Sequence, residues 1–119
     1  MKPRFLLDEH LGRVIQRQLR RRDAQIEILL IGDPTASARG MLDPDLLIWL
    51  EATGYILVTN DESTIPGHLI DHYNQGRHVP GILWIRDGAS LGQIIEALFM
   101  IWDASEAEEY VDRLLHIPF

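Results

Sequence analysis

Apolar positions in this chain gather into short continuous runs, separated by longer amphipathic stretches. Arg4–Leu7 reads as a short buried strand stopped by Asp8. Residues 10–22 read as a helix. Leu11, Val14, Ile15 and Leu19 fall on one face, with Arg13, Arg17, Arg20 and Arg21 mostly on the other. Gln25–Ile31 reads as a second strand, ended by Gly32-Asp33-Pro34, and Thr35–Gly40 as a polar loop. Asp43-Pro44 predicts a helix start, with Asp43 as cap and Pro44 as first helical residue, and Gly54 closes that helix. Tyr55–Thr59 is a third strand run, ended by Asn60-Asp61, and Pro66–Tyr73 is helical in pattern. Gly81–Ile85 is a fourth strand run, ended by Arg86-Asp87-Gly88. Ser90 caps an apolar helix from Leu91 to Trp102, and an acidic amphipathic helix is expected from Ser105 to Leu115.

Because the strand runs are apolar throughout rather than alternating, both faces of the sheet should be covered. A helix between consecutive strands implies parallel pairing with right-handed crossovers. The expectation is one domain over residues 1–119: a three-layer α/β/α fold around a four-stranded parallel sheet of order 2-1-3-4. The stretch from Ile94 to Trp102 is apolar nearly all round, which suggests a homodimer through the last two helices.

Composition narrows the function classes. The chain carries no cysteine, so disulfides, thiolate zinc sites and cysteine nucleophiles are excluded. The lack of cysteine fits a reducing, cytoplasmic setting, and no run is long enough for a membrane span. A net charge of −7 argues against broad electrostatic coating of nucleic acid, so any RNA contact must be local. Five of the eleven basic residues are Arg13, Arg17, Arg20, Arg21 and Arg22. Their face could hold RNA phosphates, with Arg13 and Arg17 the candidate contacts, or an acidic partner protein, or only water.

Each strand run ends in an aspartate: Asp8, Asp33, Asp61 and Asp87. In an open parallel sheet, sites form outside the carboxyl ends of the strands. Asp33, before Pro34, and Asp87, before Gly88, read as ordinary turn residues. Asp8 and Asp61 fall on neighbouring central strands, and two carboxylates brought together repel unless one is protonated or a cation bridges them. An oxygen-only pocket suits Mg²⁺ or Mn²⁺, which can activate water and stabilise charge on a phosphodiester under attack. Without the ion, repulsion should raise the pKa of at least one of the acids.

Three segments together resemble the short PIN-like proteins, relatives of PIN-domain ribonucleases and of the toxins of toxin–antitoxin pairs. They are FLLDEH (Phe5–His10), LDPDLLIWLEATGYILVTND (Leu42–Asp61) and GRHVPGILWIRDG (Gly76–Gly88). The resemblance implies a PIN-like sheet, an endoribonuclease activity and an antitoxin partner. It also implies a metal pocket built from Asp8, an acid opening the second helix (Asp43, or Asp45 two residues on) and Asp61. The chain departs from the family's Thr-x-Asp-x-Asp turn: it reads Thr59-Asn60-Asp61-Glu62-Ser63, which leaves Ser63 at a fourth acidic position and weighs against a second metal ion. Glu9 or Glu62 could substitute.

Other features have plainer readings. His68 and His72 share a helix face but lack the His-Glu-x-x-His pattern, so they read as surface histidines. His10 follows the acidic pair closely enough to reach a phosphate. Trp49, Trp84 and Trp102 read as core. Two alternatives to the nuclease remain. One is a catalytically weak PIN-like protein that acts by binding a partner. The other is a phospho-receiver-like signalling domain, which would need a lysine at the end of a fifth strand, whereas the only lysine is Lys2.

Overall fold

The computed structural model describes residues 1–119. Its strands are β1 (Phe5–Leu7), β2 (Ile28–Leu30), β3 (Ile56–Thr59), β4 (Ile82–Ile85) and β5 (Leu114–Ile117), and its helices are α1 (Val14–Arg22), α2 (Asp43–Thr53), α3 (Ile65–Asn74) and α4 (Leu91–Ala104). All neighbouring strands are parallel, in the order β2-β1-β3-β4-β5. The expected order is therefore present, with a fifth strand added at the β4 edge.

Strand side chains alternate between two cores, as a sheet covered on both faces requires. Phe5, Leu7, Val58 and Leu83 face the core beneath α1 and α4. Leu6, Leu57, Ile82 and Trp84 face the core beneath α2 and α3. Leu6, Leu7 and Val58 are fully buried, so truncating any of them to alanine should cost about 2–5 kcal/mol.

The largest departure from expectation lies at the C-terminal end. No helix spans Ser105–Leu115. A 3-10 turn covers Ala107–Tyr110, Val111 is extended, and Asp112 takes φ +59, which ends helical winding. The chain then pairs along β4, from Ile82 against Leu114 to Ile85 against Ile117. Gly81 lets this happen: its φ is +137, and a Cβ there would lie 2.8 Å from the Tyr110 carbonyl oxygen. Asp112 clips the turn in place by accepting the Val79 N–H at 2.9 Å and contacting His78 Nδ1 at 2.6 Å. A homodimer through two terminal helices thus loses one of them. On α4, Ile94, Ile95, Leu98, Ile101 and Trp102 are buried and Met100 is exposed.

Smaller differences bear on the site. The first helix begins only at Val14, after a 3-10 turn at Glu9–Leu11 and Gly12 at φ +73. The second strand is shorter than its apolar run, covering Ile28–Leu30. In α2, Leu42 takes the cap position, and Asp43 and Pro44 are already in the first turn. Gly54 in the left-handed region and the Ser90–Gln93 capping box close and open their helices as expected.

Candidate functional site

At the carboxyl edge of β1 and β3, a cleft of about 120 Å³ is lined by Asp8, Glu9, Asp43, Thr59, Asp61 and Thr64, with apolar side chains at its base. Three of the four metal candidates named from the sequence therefore meet. Asp45 does not: it is exposed and lies outside the cleft. The one-residue shift in the start of α2 decides this, because Asp43 caps nothing and its carboxylate is available to the cleft.

Each of the three aspartates is held by a neutral hydroxyl. Thr59 Oγ1 donates to Asp8 Oδ2 at 2.9 Å, Thr64 Oγ1 donates to Asp43 Oδ2, and Ser63 Oγ donates to Asp61 Oδ1. Backbone turns add further donors: His10 N–H to Asp8 Oδ1 at 3.1 Å, and Ser63 N–H to Asp61 Oδ1 at 2.9 Å. Thr59 ties the two strands together, since its Oγ1 also accepts the Asp61 N–H at 3.1 Å.

No cationic side chain forms an ion pair with Asp8, Asp43 or Asp61, whereas Asp33, Glu51 and Glu96 each pair with an arginine. Glu9, on the cleft rim, has Arg39 Nε at 3.7 Å. The three aspartates thus concentrate negative charge without an ion-pairing partner of their own. The expected upward pKa shift is absent at Asp61. Hydrogen bonds from the Ser63 hydroxyl and then the Ser63 N–H hold that carboxyl below its ordinary value, with His10 adding a smaller electrostatic contribution.

The donor set suits a hard cation: carboxylate and hydroxyl oxygens, with no thiolate or imidazole in the cleft and the Met41 thioether its one sulfur. As they stand, however, no three His, Asp or Glu side chains are gathered closely enough to ligate one ion.

Asp33 illustrates the contrast. It accepts from Arg13 at 2.7 Å, Gln16 at 3.0 Å and the Leu30 N–H at 2.9 Å. Burial pushes its pKa up, but the Leu30, Arg13 and Gln16 hydrogen bonds outweigh this and hold it below its ordinary value. Asp33 is a structural acid, as its turn position suggested. Its pairing also occupies Arg13, one of the two candidate RNA contacts. Arg17 and Arg21 are exposed without side-chain partners, Arg20 bonds the Ile28 carbonyl, and Arg22 pairs with Glu96.

His72 is not a surface residue: it is buried, and its Nε2 donates to the His78 carbonyl at 3.0 Å. This leaves no zinc pair with His68. Trp84 and Trp102 are buried and Trp49 half-buried, consistent with packing. The fifth strand does not supply a receiver lysine. It ends His116-Ile117-Pro118, and Lys2 Nζ instead bonds the Trp102 and Asp103 carbonyls, each at 2.9 Å.

Sequence reasoning missed Thr64 and His116. Thr59 was visible only as part of the Thr-x-Asp turn. The Thr64 link joins α2 to the loop before α3, and nothing local in the sequence pairs positions 43 and 64. Compared with protein-family models, curated proteins and solved structures, the chain has no match to any of them.

Proposed function

We propose that the cleft binds Mg²⁺ or Mn²⁺ through Asp8, Asp43 and Asp61, and that the chain is a metal-dependent endoribonuclease of PIN-like type. The observation that carries this reading is that three aspartates from three separate elements line one cleft and none of them has a cationic partner. When bound, the ion would activate water and stabilise the charge that develops on the phosphodiester. Thr59 would orient Asp8 between the strands, and Glu9 would sit on the rim with one weak arginine contact. Asp45 is left out of the ligand set. An antitoxin partner would follow from the same resemblance.

One feature favours a second reading, in which the scaffold binds a partner without turnover. Ser63 stands where a fourth acid would be and donates to Asp61 instead of adding charge. The two readings separate in one experiment. Wild type and Asp8→Asn are titrated with Mn²⁺ while melting temperature and RNA cleavage are followed together. The nuclease reading expects a metal-dependent rise in melting temperature and cleavage in the wild type, both lost in the variant. Absence of any shift at millimolar Mn²⁺ would end it.

A further inference from the structure

A second polar cleft lies along the same sheet edge, between the ends of β3, β4 and β5, and shares Asp61 with the acidic one. Arg86, Asp87, Asn60, Glu62 and His116 line it. Its basic residues depend on β5, because only the added strand carries His116 to this edge.

The charges here are arranged differently from those at the acidic cleft. Glu62 lies 2.7 Å from His116 Nε2, so its charge has a partner whenever the imidazole is protonated. Asp61 is bonded to Ser63. Arg86 is exposed and, although Asp61, Glu62 and Asp87 all line the same cleft, it forms no ion pair with any of them. Its position is nevertheless fixed: its N–H donates to the Ile117 carbonyl at 2.8 Å, and its Nε donates to the Pro118 carbonyl at 2.9 Å. That anchor leaves both terminal Nη groups free, which is the fork that takes two oxygens of a phosphate side by side.

We propose that this cleft is a phosphate subsite for single-stranded RNA. Arg86 holds the phosphate flanking the one at the acidic cleft, so that the strand runs along the sheet edge from β1 towards β5. The inference rests on the nuclease reading for its substrate. It adds a direction for the strand and a specific contact. It also accounts for how a chain of net charge −7 engages a polyanion: one anchored guanidinium beside the metal cleft replaces a broad basic field.

The test compares cleavage of RNA oligonucleotides of increasing length in Mn²⁺ by wild type, R86Q and R86K. Wild type should gain about tenfold in kcat/KM once the substrate is long enough to reach Arg86, a typical size for one charge-assisted phosphate contact. R86Q should lose that gain while keeping the wild-type rise in melting temperature with Mn²⁺, and R86K should retain part of the gain. If R86Q gains from length as much as wild type does, while Asp8→Asn remains inactive, the subsite is overturned and the nuclease reading stands. If wild type cleaves no RNA at any length, the nuclease reading falls and the subsite falls with it. Should loss of the Pro118 contact unfold R86Q, R86K decides: a length gain smaller than the wild type's in a folded R86K supports the subsite, and a length gain equal to the wild type's overturns it.

Discussion

The hydroxyl of Thr59 donates to Asp8 Oδ2 at 2.9 Å from a side chain only 1% exposed. It is a part-buried bond between the ends of the two central strands, and the same hydroxyl oxygen accepts the Asp61 N–H. Thr59→Val keeps the shape and removes both functions. It should cost about 1–2 kcal/mol of stability, because a part-buried N–H and a half-buried carboxylate each lose a partner. It should also weaken the Mn²⁺-dependent rise in melting temperature, since Asp8 loses its orientation. Thr59→Ser should restore the metal response. A Val variant that is destabilised but keeps the wild-type Mn²⁺ midpoint would make Thr59 purely structural.

Asp43 and Asp45 lie two residues apart on α2 but only the first lines the cleft. Asp43→Asn should abolish or strongly weaken the Mn²⁺ response, and Asp45→Asn should leave it intact. Thermal shift against metal concentration reads both. Equal effects of the two substitutions would mean that proximity to the helix start, not membership of the cleft, governs the metal response.

The same pair marks where sequence reading stops. The four apolar runs and their terminal aspartates were legible because buried parallel strands announce themselves by composition, with Asp8 following its run directly and Asp61 one residue on. Choosing between Asp43 and Asp45 required the start of α2 to within one residue, finer than Asp-Pro chemistry specifies, since both Leu42 and Asp43 can precede Pro44 in a first turn. The fifth strand was illegible for a different reason. Leu114 and Leu115 continue the helical spacing of Tyr110 and Val111, while only Ile117 of the strand is buried. The pairing with β4 and the Asp112 clip, both long-range, override that local pattern. Arg86 stood in plain view beside Asp87, but without β5 there was no second wall to its cleft.

Asp33 should make stability depend on pH in a defined sense. Its pKa is depressed in the folded state, so its contribution is fully present above the unfolded value of about 3.9 and is lost as pH falls through the folded value. Asp33→Asn should cost about 1–2 kcal/mol at pH 7, because it weakens the Arg13 and Gln16 bonds while an oxygen remains for Leu30. The gap in melting temperature between wild type and variant should close progressively below about pH 4. A gap that persists unchanged at pH 2 would assign the loss to packing.

On α1, Arg17 and Arg21 are the exposed arginines without partners, whereas Arg13 is tied to Asp33. If this face holds RNA, replacing Arg17 and Arg21 together should flatten the salt dependence of binding by roughly 0.7 per lost contact. Arg13→Gln should instead act mainly on stability. An unchanged slope in the double variant would remove α1 from the RNA surface and leave Arg86 as its main cation.

Ser63 offers the sharpest test of what the acidic cleft is for. Its hydroxyl and N–H both donate to Asp61 Oδ1, and these bonds are the main reason that the Asp61 carboxyl sits below its ordinary value. Ser63→Asp removes the hydroxyl donor and sets a second carboxylate two residues away. In the absence of metal, the Asp61 pKa should therefore rise and the melting temperature at pH 7 should fall, because two like charges now face each other. Both effects should reverse as Mn²⁺ is added. A site with one more oxygen ligand should bind the ion about tenfold more tightly, and binding only to the folded form raises the melting temperature in proportion to the logarithm of metal concentration over Kd. The combination of a weaker apo protein and a stronger metal-bound one is what a ligand position predicts. A surface serine with a turn role predicts a small loss of stability that metal does not recover. If Ser63→Asp shows that second pattern while Asp8→Asn is also indifferent to Mn²⁺, the cleft is a polar seam between strands, and partner binding becomes the reading to pursue.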